Sequence, residues 1–343
     1  MKIVIFELED WERKTFQDLG LQNELILTSD AVTENPDDRY TDANVISASL
    51  GSELTAVSLR QFRSLKLIAT RTTGFDHIDL NYCRENGVTL CNVPNYADRT
   101  VAEHVFALLL AISHKIVDAS NRTRAGNFSL KDLRGFDLQG KILGVIGTGA
   151  IGRQVIELAR GFRMEVIAFD VRPNEQWASR LGFRYTSLED ILAKSDVITL
   201  HVPSGPATHN LISKDRFAQM KKGMILINTA RGDLVDIEAL LEALNNGTVV
   251  AAGLDVLPEE PAIREEAELL QSLFTRKYSV EMLLADHVLA QRPNVIITPH
   301  SAFDTREAVG RLLETTKKNI EAFMAGKPQN IVLNPQPEAA RMK

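Results

Sequence analysis

The sequence predicts an α/β protein built from two doubly wound parallel-sheet domains. Short β-type runs alternate with helical patterns along the whole chain, the pattern of a parallel sheet covered by helices. The second half opens on a glycine-rich turn, Gly147-Thr148-Gly149-Ala150-Ile151-Gly152, set between a strand pattern and a helix pattern. The length, 343 residues, is enough for two domains that each bury a core.

Composition narrows the classes. With 44% hydrophobic and 24% charged residues, the chain reads as globular. The net charge is −6 and no Lys/Arg-rich run occurs, which argues against nucleic acid or a membrane surface as partner. Cys83 and Cys91 form no metal or redox spacing, so no metal site is expected and a reducing, cytoplasmic setting fits. The apolar run Met1–Phe6 is too short for a signal-peptide core and reads as a first strand.

In the first series the strand candidates are Lys2–Phe6, Glu24–Thr28, Asn44–Ser47, Leu65–Thr70 and Val88–Cys91. Helical segments Thr55–Arg63 and Leu80–Glu85 lie between some of them. Residues 98–119 follow as one long helix, with Val101, Val105, Leu108 and Ile112 on a broad apolar face. It reads as a bridge between domains and a subunit contact. The second series holds strands Ile142–Ile146, Glu165–Phe169, Val197–Leu200, Met224–Asn228, Val249–Leu254 and Val295–Thr298. Helices Ile151–Phe162, Leu188–Ala193, Ser213–Gln219 and Ile237–Asn245 lie between them, and Ser187-Leu188-Glu189-Asp190 resembles a capping box. A last helix spans Asp304–Ala325, and the Pro-containing tail after Lys327 reads as extended.

The glycine turn has the setting of a dinucleotide fingerprint. Gly147 permits the tight turn, Gly149 lets backbone approach a pyrophosphate, and Gly152 permits close helix–strand packing. Ala150 and Ile151 begin the helix whose N–H groups face the phosphates. Asp170 ends the next strand, about 20 residues beyond the first glycine, where an acidic residue accepts from the ribose hydroxyls. It favours NAD over NADP, although Arg172 nearby can accommodate a 2′-phosphate. Gly135-Phe136-Asp137-Leu138-Gln139-Gly140-Lys141-Ile142 nearly spells a P-loop, but Ile142 stands where Ser or Thr should be and a strand follows it.

Arg231, Glu260 and His300 follow successive strands of the same predicted sheet, the end at which α/β proteins bind ligands. Each alone has an ordinary reading: a loop arginine, an acidic turn, a structural histidine. Together they suit reduction of a 2-oxo acid. Carbonyl reduction builds charge on oxygen, which a protonated imidazole can quench. A neighbouring carboxylate stabilises the imidazolium, and an arginine fork grips a substrate carboxylate. His201 directly follows a strand, at the edge where a cofactor passes; His104 and His114 lie on the long helix.

These segments resemble the D-isomer-specific 2-hydroxyacid dehydrogenases over nearly the whole chain. The resemblance rests on Arg71-Thr72-Thr73-Gly74-Phe75-Asp76-His77-Ile78-Asp79, Asn92-Val93-Pro94-Asn95-Tyr96, Ala102-Glu103-His104, the glycine fingerprint, His201-Val202-Pro203, Asn228-Thr229-Ala230-Arg231-Gly232, Gly253-Leu254-Asp255-Val256 and Pro299-His300. It implies two Rossmann-like domains with a cleft between them. The substrate domain is expected at 1–98 and 304–343, with the cofactor domain inserted at 99–303. It further implies Arg231 as the substrate-binding cation, His300 as acid/base and Glu260 as its partner. Asp255 is placed near the nicotinamide, and His201, Val202, Pro203, Thr229 and Ala230 at the cofactor. Thr73, Gly74 and Tyr96 are implied at the substrate, with backbone N–H groups forming a carboxylate nest. A homodimer is implied as well.

Within the family, the chain is most similar to the D-lactate dehydrogenase branch, through Tyr96, Pro299-His300-Ser301-Ala302-Phe303 and the long segment between Glu260 and His300. It departs at Leu50-Gly51, where relatives often carry an aromatic residue, and at Asp304, where they often carry Tyr. Gly51 therefore predicts room for 2-oxo acids larger than pyruvate. A competing expectation is an NAD-sensing corepressor-like scaffold; no long extension accompanies this chain, and the catalytic set is intact.

Overall fold

The computed structural model describes residues 1–258 and 280–335. The chain divides into two compact units, Met1–Tyr96 with Thr305–Lys343, and Ala97–Asp304.

The first unit is built on a six-stranded sheet. Its parallel strands are β1 (Lys2–Ile5), β2 (Glu24–Leu27), β3 (Val45–Ser47), β4 (Leu67–Ala69) and β5 (Thr89–Cys91). The strand Ile331–Leu333 pairs antiparallel with β5, so the sheet order is Ile331–Leu333, β5, β4, β3, β1, β2. Alternate residues serve opposite faces. Val4, Ile46, Ile68 and Leu90 pack with Tyr40, Leu54, Leu59 and Phe62. Ile3, Ile5, Val45 and Leu67 pack with Phe16, Leu19 and the Val309, Leu313 and Ile320 face of helix Arg306–Met324. Burial on both faces explains the nearly unbroken apolar runs in these strands. Thr305 caps that last helix by accepting from the Ala308 amide.

The second unit carries a seven-stranded sheet, all parallel: β6 (Ile142–Ile146), β7 (Glu165–Phe169), β8 (Arg184–Tyr185), β9 (Val197–Leu200), β10 (Met224–Asn228), β11 (Val249–Leu254) and β12 (Val295–Ile297). The order is β12-β11-β10-β9-β6-β7-β8. The direction of winding reverses between β6 and β9, which makes their C-terminal ends the topological switch point where such sheets bind ligands. Gly253 in β11 lets helix Asp98–Ser113 lie close to the sheet: a Cβ there would sit 3.0 Å from Leu108 Cβ and 2.8 Å from Ile227 Cδ1.

The single helix expected over 98–119 is corrected to two, Asp98–Ser113 and Ile116–Arg124, bent by 61°. The Phe136 amide donates to the Ser113 carbonyl at 3.0 Å, and Lys115 takes a left-handed φ of 55°. Gly135 is pressed against that carbonyl; an added Cβ would sit 1.9 Å from it. The near-P-loop segment thus ends a helix. The structure also holds helices Glu175–Leu181 and Val280–Ala290 and the strands β8 and Ile331–Leu333, none of which the pattern reading contained. At Ser187 the hydroxyl accepts from the Asp190 amide at 3.2 Å, as a capping residue does, while the Asp190 carboxylate takes Thr186 and Lys194 instead of reaching back. No single helix among the described residues is long and apolar enough to cross a membrane.

Candidate active site

The glycine turn leaves β6 at the switch point. Gly147 has φ 94°, and its amide donates to the Phe169 carbonyl at 2.8 Å. A Cβ on Gly152 would lie 2.1 Å from the Gly147 carbonyl oxygen, so close helix–strand packing demands glycine there too. Gly149 differs: nothing lies within 4 Å of an added Cβ. Ala150 and Ile151 open the helix Ala150–Gly161 behind that space. An open approach over Gly149, at a helix N-terminus, fits a dinucleotide's phosphates.

Asp170 closes the turn from the β7 side. One carboxylate oxygen accepts from the Thr148 amide at 2.7 Å and hydroxyl at 2.8 Å, and the other accepts from the Arg172 amide at 2.8 Å. Burial opposes ionisation, but these bonds and the Arg172 charge outweigh it, and the carboxyl is held below its usual range. Tyr185 extends the network, its hydroxyl 2.8 Å from Thr148 Oγ1. Motif reading missed both residues. Thr148 sits at a variable position of the fingerprint, and Tyr185 lies in a two-residue strand with no period to detect.

His201 follows β9, beside the glycine turn. Its Nε2 lies 2.9 Å from Thr199 Oγ1. Burial pushes the imidazole down to about 3, so it is neutral through the physiological range. Val202 is half-buried and Pro203 exposed.

Three adjacent strands, β10, β11 and β12, end in register, with Asn228 opposite Leu254 and Leu254 opposite Ile297. Their following loops carry Arg231, Asp255 and His300. Asn228 is buried and shapes the first loop: its side chain donates to the Arg231 carbonyl at 2.8 Å and accepts from the Ala230 amide at 3.0 Å. The half-buried Arg231 guanidinium donates to the Ala230 carbonyl at 2.7 Å. Thr229 is nearly buried, and its hydroxyl has no partner among the described residues, as expected of a group that meets a ligand.

His300 takes a left-handed φ of 51°. Such backbone persists only when its surroundings fix it. Asp255, 1% exposed, does so from both main chain and side chain. Its carbonyl accepts from the His300 amide at 2.9 Å, and its carboxylate accepts from the Ser301 and Ala302 amides, each at 2.9 Å. The Phe303 ring meets the imidazole edge-on, with centroids 6.4 Å apart. Glu260 lies outside the described residues.

The remaining expected residues belong to the first unit. Thr73 donates from its hydroxyl to the Val93 carbonyl at 2.7 Å, and its own carbonyl accepts from the Asn92 side chain at 2.7 Å. The Gly74 carbonyl accepts from Thr72 Oγ1. The buried Arg71 beneath them donates to the Phe6 and Glu7 carbonyls at 2.6 and 3.0 Å. The half-buried Tyr96 accepts at its carbonyl from Arg311 at 2.8 Å. Gly51 is not beside empty space. Its amide donates to the Glu7 carboxylate at 2.7 Å, the Ser49 amide donates to the other oxygen at 2.7 Å, and a Cβ on Gly51 would sit 2.6 Å from Glu7 Oε1. Glu7 itself has a φ of 53° and was not singled out in the sequence.

The family model described as D-isomer specific 2-hydroxyacid dehydrogenase, NAD binding domain, matches residues 106–302. A glycerate dehydrogenase of Methylorubrum extorquens is 38% identical over 307 residues, covering 85% of this chain and 89% of its own. An aromatic 2-oxoacid reductase of Clostridium sporogenes is 38% identical over 262 residues, 76% of each. The solved D-lactate dehydrogenase of Aquifex aeolicus, complexed with NAD and lactic acid, superposes with a TM-score of 0.86 at 35% identity, covering 97% of this chain and all of that one. The open glycine turn, the ionised Asp170 and the unpartnered Thr229 hydroxyl suit the cofactor these matches name. The chain therefore belongs to the D-isomer specific 2-hydroxyacid dehydrogenase family and is an NAD-dependent oxidoreductase.

Proposed function

We propose that the protein reversibly reduces a 2-oxo acid, pyruvate or a larger homologue, to the D-2-hydroxy acid, as a D-lactate dehydrogenase-like enzyme. The observation that carries this reading is the turn after β12, where Asp255 fixes His300 in a left-handed conformation at the same sheet end as Arg231, whose loop follows β10, one strand beyond β11. Bound NADH supplies the hydride. The chain's own groups do the rest. Arg231 holds the substrate carboxylate and polarises the carbonyl, with Thr73 and Gly74 as backbone donors and Tyr96 as a further substrate contact. His300 gives its proton to the carbonyl oxygen during reduction and takes it back during oxidation. Glu260 stabilises the imidazolium. Asp170 accepts from the ribose hydroxyls. Gly147, Gly149, Ala150, Ile151, Gly152, His201, Val202, Pro203, Thr229, Ala230 and Asp255 complete the cofactor side.

In this reading the unit Ala97–Asp304 is the cofactor domain and the other is the substrate domain. The enzyme acts as a cytoplasmic homodimer. The exposed Ile116, Val117, Phe128 and Leu130 support an apolar subunit contact, and the net charge of −6 supports excluding nucleic acid and anionic membrane. The named relatives act on glycerate, aromatic 2-oxo acids and lactate, so the substrate side chain is the finer question. A panel of 2-oxo acids with NADH tests the reading together with His300→Ala. That variant is expected to bind NADH normally and to lose turnover. Near-normal kcat in His300→Ala removes the imidazole from the chemistry.

A further inference from the structure

The motifs leave His104 without a task, yet its placement is specific. It stands on helix Asp98–Ser113 with its Nε2 3.0 Å from Thr298 Oγ1 and 3.5 Å from Asp255 Oδ1. The Thr298 hydroxyl donates to Asp255 Oδ1 at 2.5 Å. A hydroxyl has one proton, and an ionised carboxylate only accepts. With that proton committed to Asp255, Thr298 Oγ1 can only accept from His104, which fixes the proton on Nε2. Asp255 also accepts from the two amides after His300, Ser301 at Oδ1 and Ala302 at Oδ2. An unbroken line of donors and acceptors therefore runs from the long helix to the strained turn that carries His300.

We propose that His104 is a positioning residue for His300, acting through Thr298 and Asp255. The inference rests on the acid/base reading of His300 above. Without the Nε2 donor, the Thr298 hydroxyl is free to turn away, and Asp255 loses one of the bonds that hold its carboxylate against the Ser301 and Ala302 amides. The His300 backbone is in a conformation it keeps only under such restraint. Small displacements of a reacting group cost rate steeply, so the effect should appear in kcat. A residue that merely packed the helix would instead change stability alone.

The test compares His104→Leu, which removes the donor, with His104→Gln, which restores an N–H. Thr298→Val breaks the same line one step further on. His104→Leu and Thr298→Val are each expected to lower kcat about tenfold or more, with the NADH Kd unchanged. The double variant should be no worse than either single one, because both cut one path. His104→Gln should recover most of the rate. Independently of turnover, hydrogen exchange at the Ser301 and Ala302 amides should accelerate in His104→Leu and return toward normal in His104→Gln. Unchanged kcat and exchange in His104→Leu overturn the proposal, as does a His104→Gln variant no better than His104→Leu, or a double variant whose losses multiply. Should His104→Leu fail to fold, the near-isosteric Thr298→Val carries the same comparison against wild type. If His300→Ala proves fully active, it is the acid/base reading that falls, and amide exchange alone then decides whether His104 holds the turn.

Discussion

A methyl group placed on Gly147 would lie 2.4 Å from the carbonyl oxygen of His201. The two residues leave neighbouring strands, β6 and β9, at the point where the sheet reverses its winding. Glycine at 147 is thus required twice, by φ 94° and by the next loop's backbone. Gly149 carries neither constraint, and the space over it is open. Gly147→Ala is expected to destabilise the fold by roughly 2 kcal/mol or more. Gly149→Ala is expected to keep its Tm and to weaken NADH binding. Thermal melts and NADH titrations separate the two. Equal losses of stability would show that the space over Gly149 is not reserved for a ligand.

Asp170 is ionised and held by two backbone amides and a hydroxyl. NADH is expected to exceed NADPH in kcat/KM, because the 2′-phosphate would meet that carboxylate. Asp170→Ala should narrow the ratio. Equal or better kcat/KM with NADPH in the wild type would mean that Arg172 dominates the ribose site.

Arg231→Lys keeps the charge and loses the planar fork. Its kcat/KM should fall by about two to three orders of magnitude, the roughly 3–4 kcal/mol typical of a removed oxyanion donor. The loss should appear in KM for the 2-oxo acid as well as in kcat. A lysine variant with wild-type KM would argue that the guanidinium does not grip the carboxylate.

His201 is neutral because burial lowers its value from 6.5 to about 3. Between those values the unfolded chain binds the extra proton, so stability is lost as pH falls through that window. In His201→Asn the slope of unfolding free energy against pH should drop there by up to about 1.4 kcal/mol per pH unit. Urea melts across the acid range measure it. An unaltered slope would mean that the imidazole is protonated as readily in the fold as outside it.

The absence of an aromatic ring at Gly51 motivates the expectation that phenylpyruvate or branched-chain 2-oxo acids exceed pyruvate in kcat/KM. The Glu7 carboxylate occupies the side-chain direction of Gly51, so the expectation requires that carboxylate to leave room for the larger acid. The Glu7 carboxylate beside Gly51 sharpens the test. Gly51→Tyr must displace it, so the variant should lose thermal stability as well as turnover of the larger acids, while retaining pyruvate. If both substrates respond alike, Gly51 does not shape the substrate pocket.

The sequence made much of this legible because central parallel strands are buried on both faces and write themselves as apolar runs. β6, β7, β9, β10 and β11 begin and end where the pattern put them. The losses have physical causes. β8 is two residues long, too short to show alternation. The strand Ile331–Leu333 depends on β5 for its identity. The helix break at His114-Lys115 is imposed by Gly135 and Phe136, a tertiary contact that no local propensity encodes. At the site, Arg231 and His300 were visible as residue types after strands, together with Glu260, which lies outside the described residues, while Asp255 came only through the family resemblance. The bonds that hold the His300 turn, and the Glu7 carboxylate over Gly51, depend on distant segments and became visible only in three dimensions.

The first unit draws on both flanks of the second, since the chain leaves it at Tyr96 and re-enters at Thr305. On the ribosome this imposes a schedule. β1 to β5 emerge early with Ile3, Ile5, Val45 and Leu67 facing a partner helix not yet translated. The inserted unit is complete in sequence by Asp304 and can fold first. Phe16 and Leu19 cover part of that face early, and only when Val309, Leu313 and Ile320 arrive is the cover complete. Nascent chains halted before Arg306 should therefore be the aggregation-prone species, and the ones that recruit chaperones.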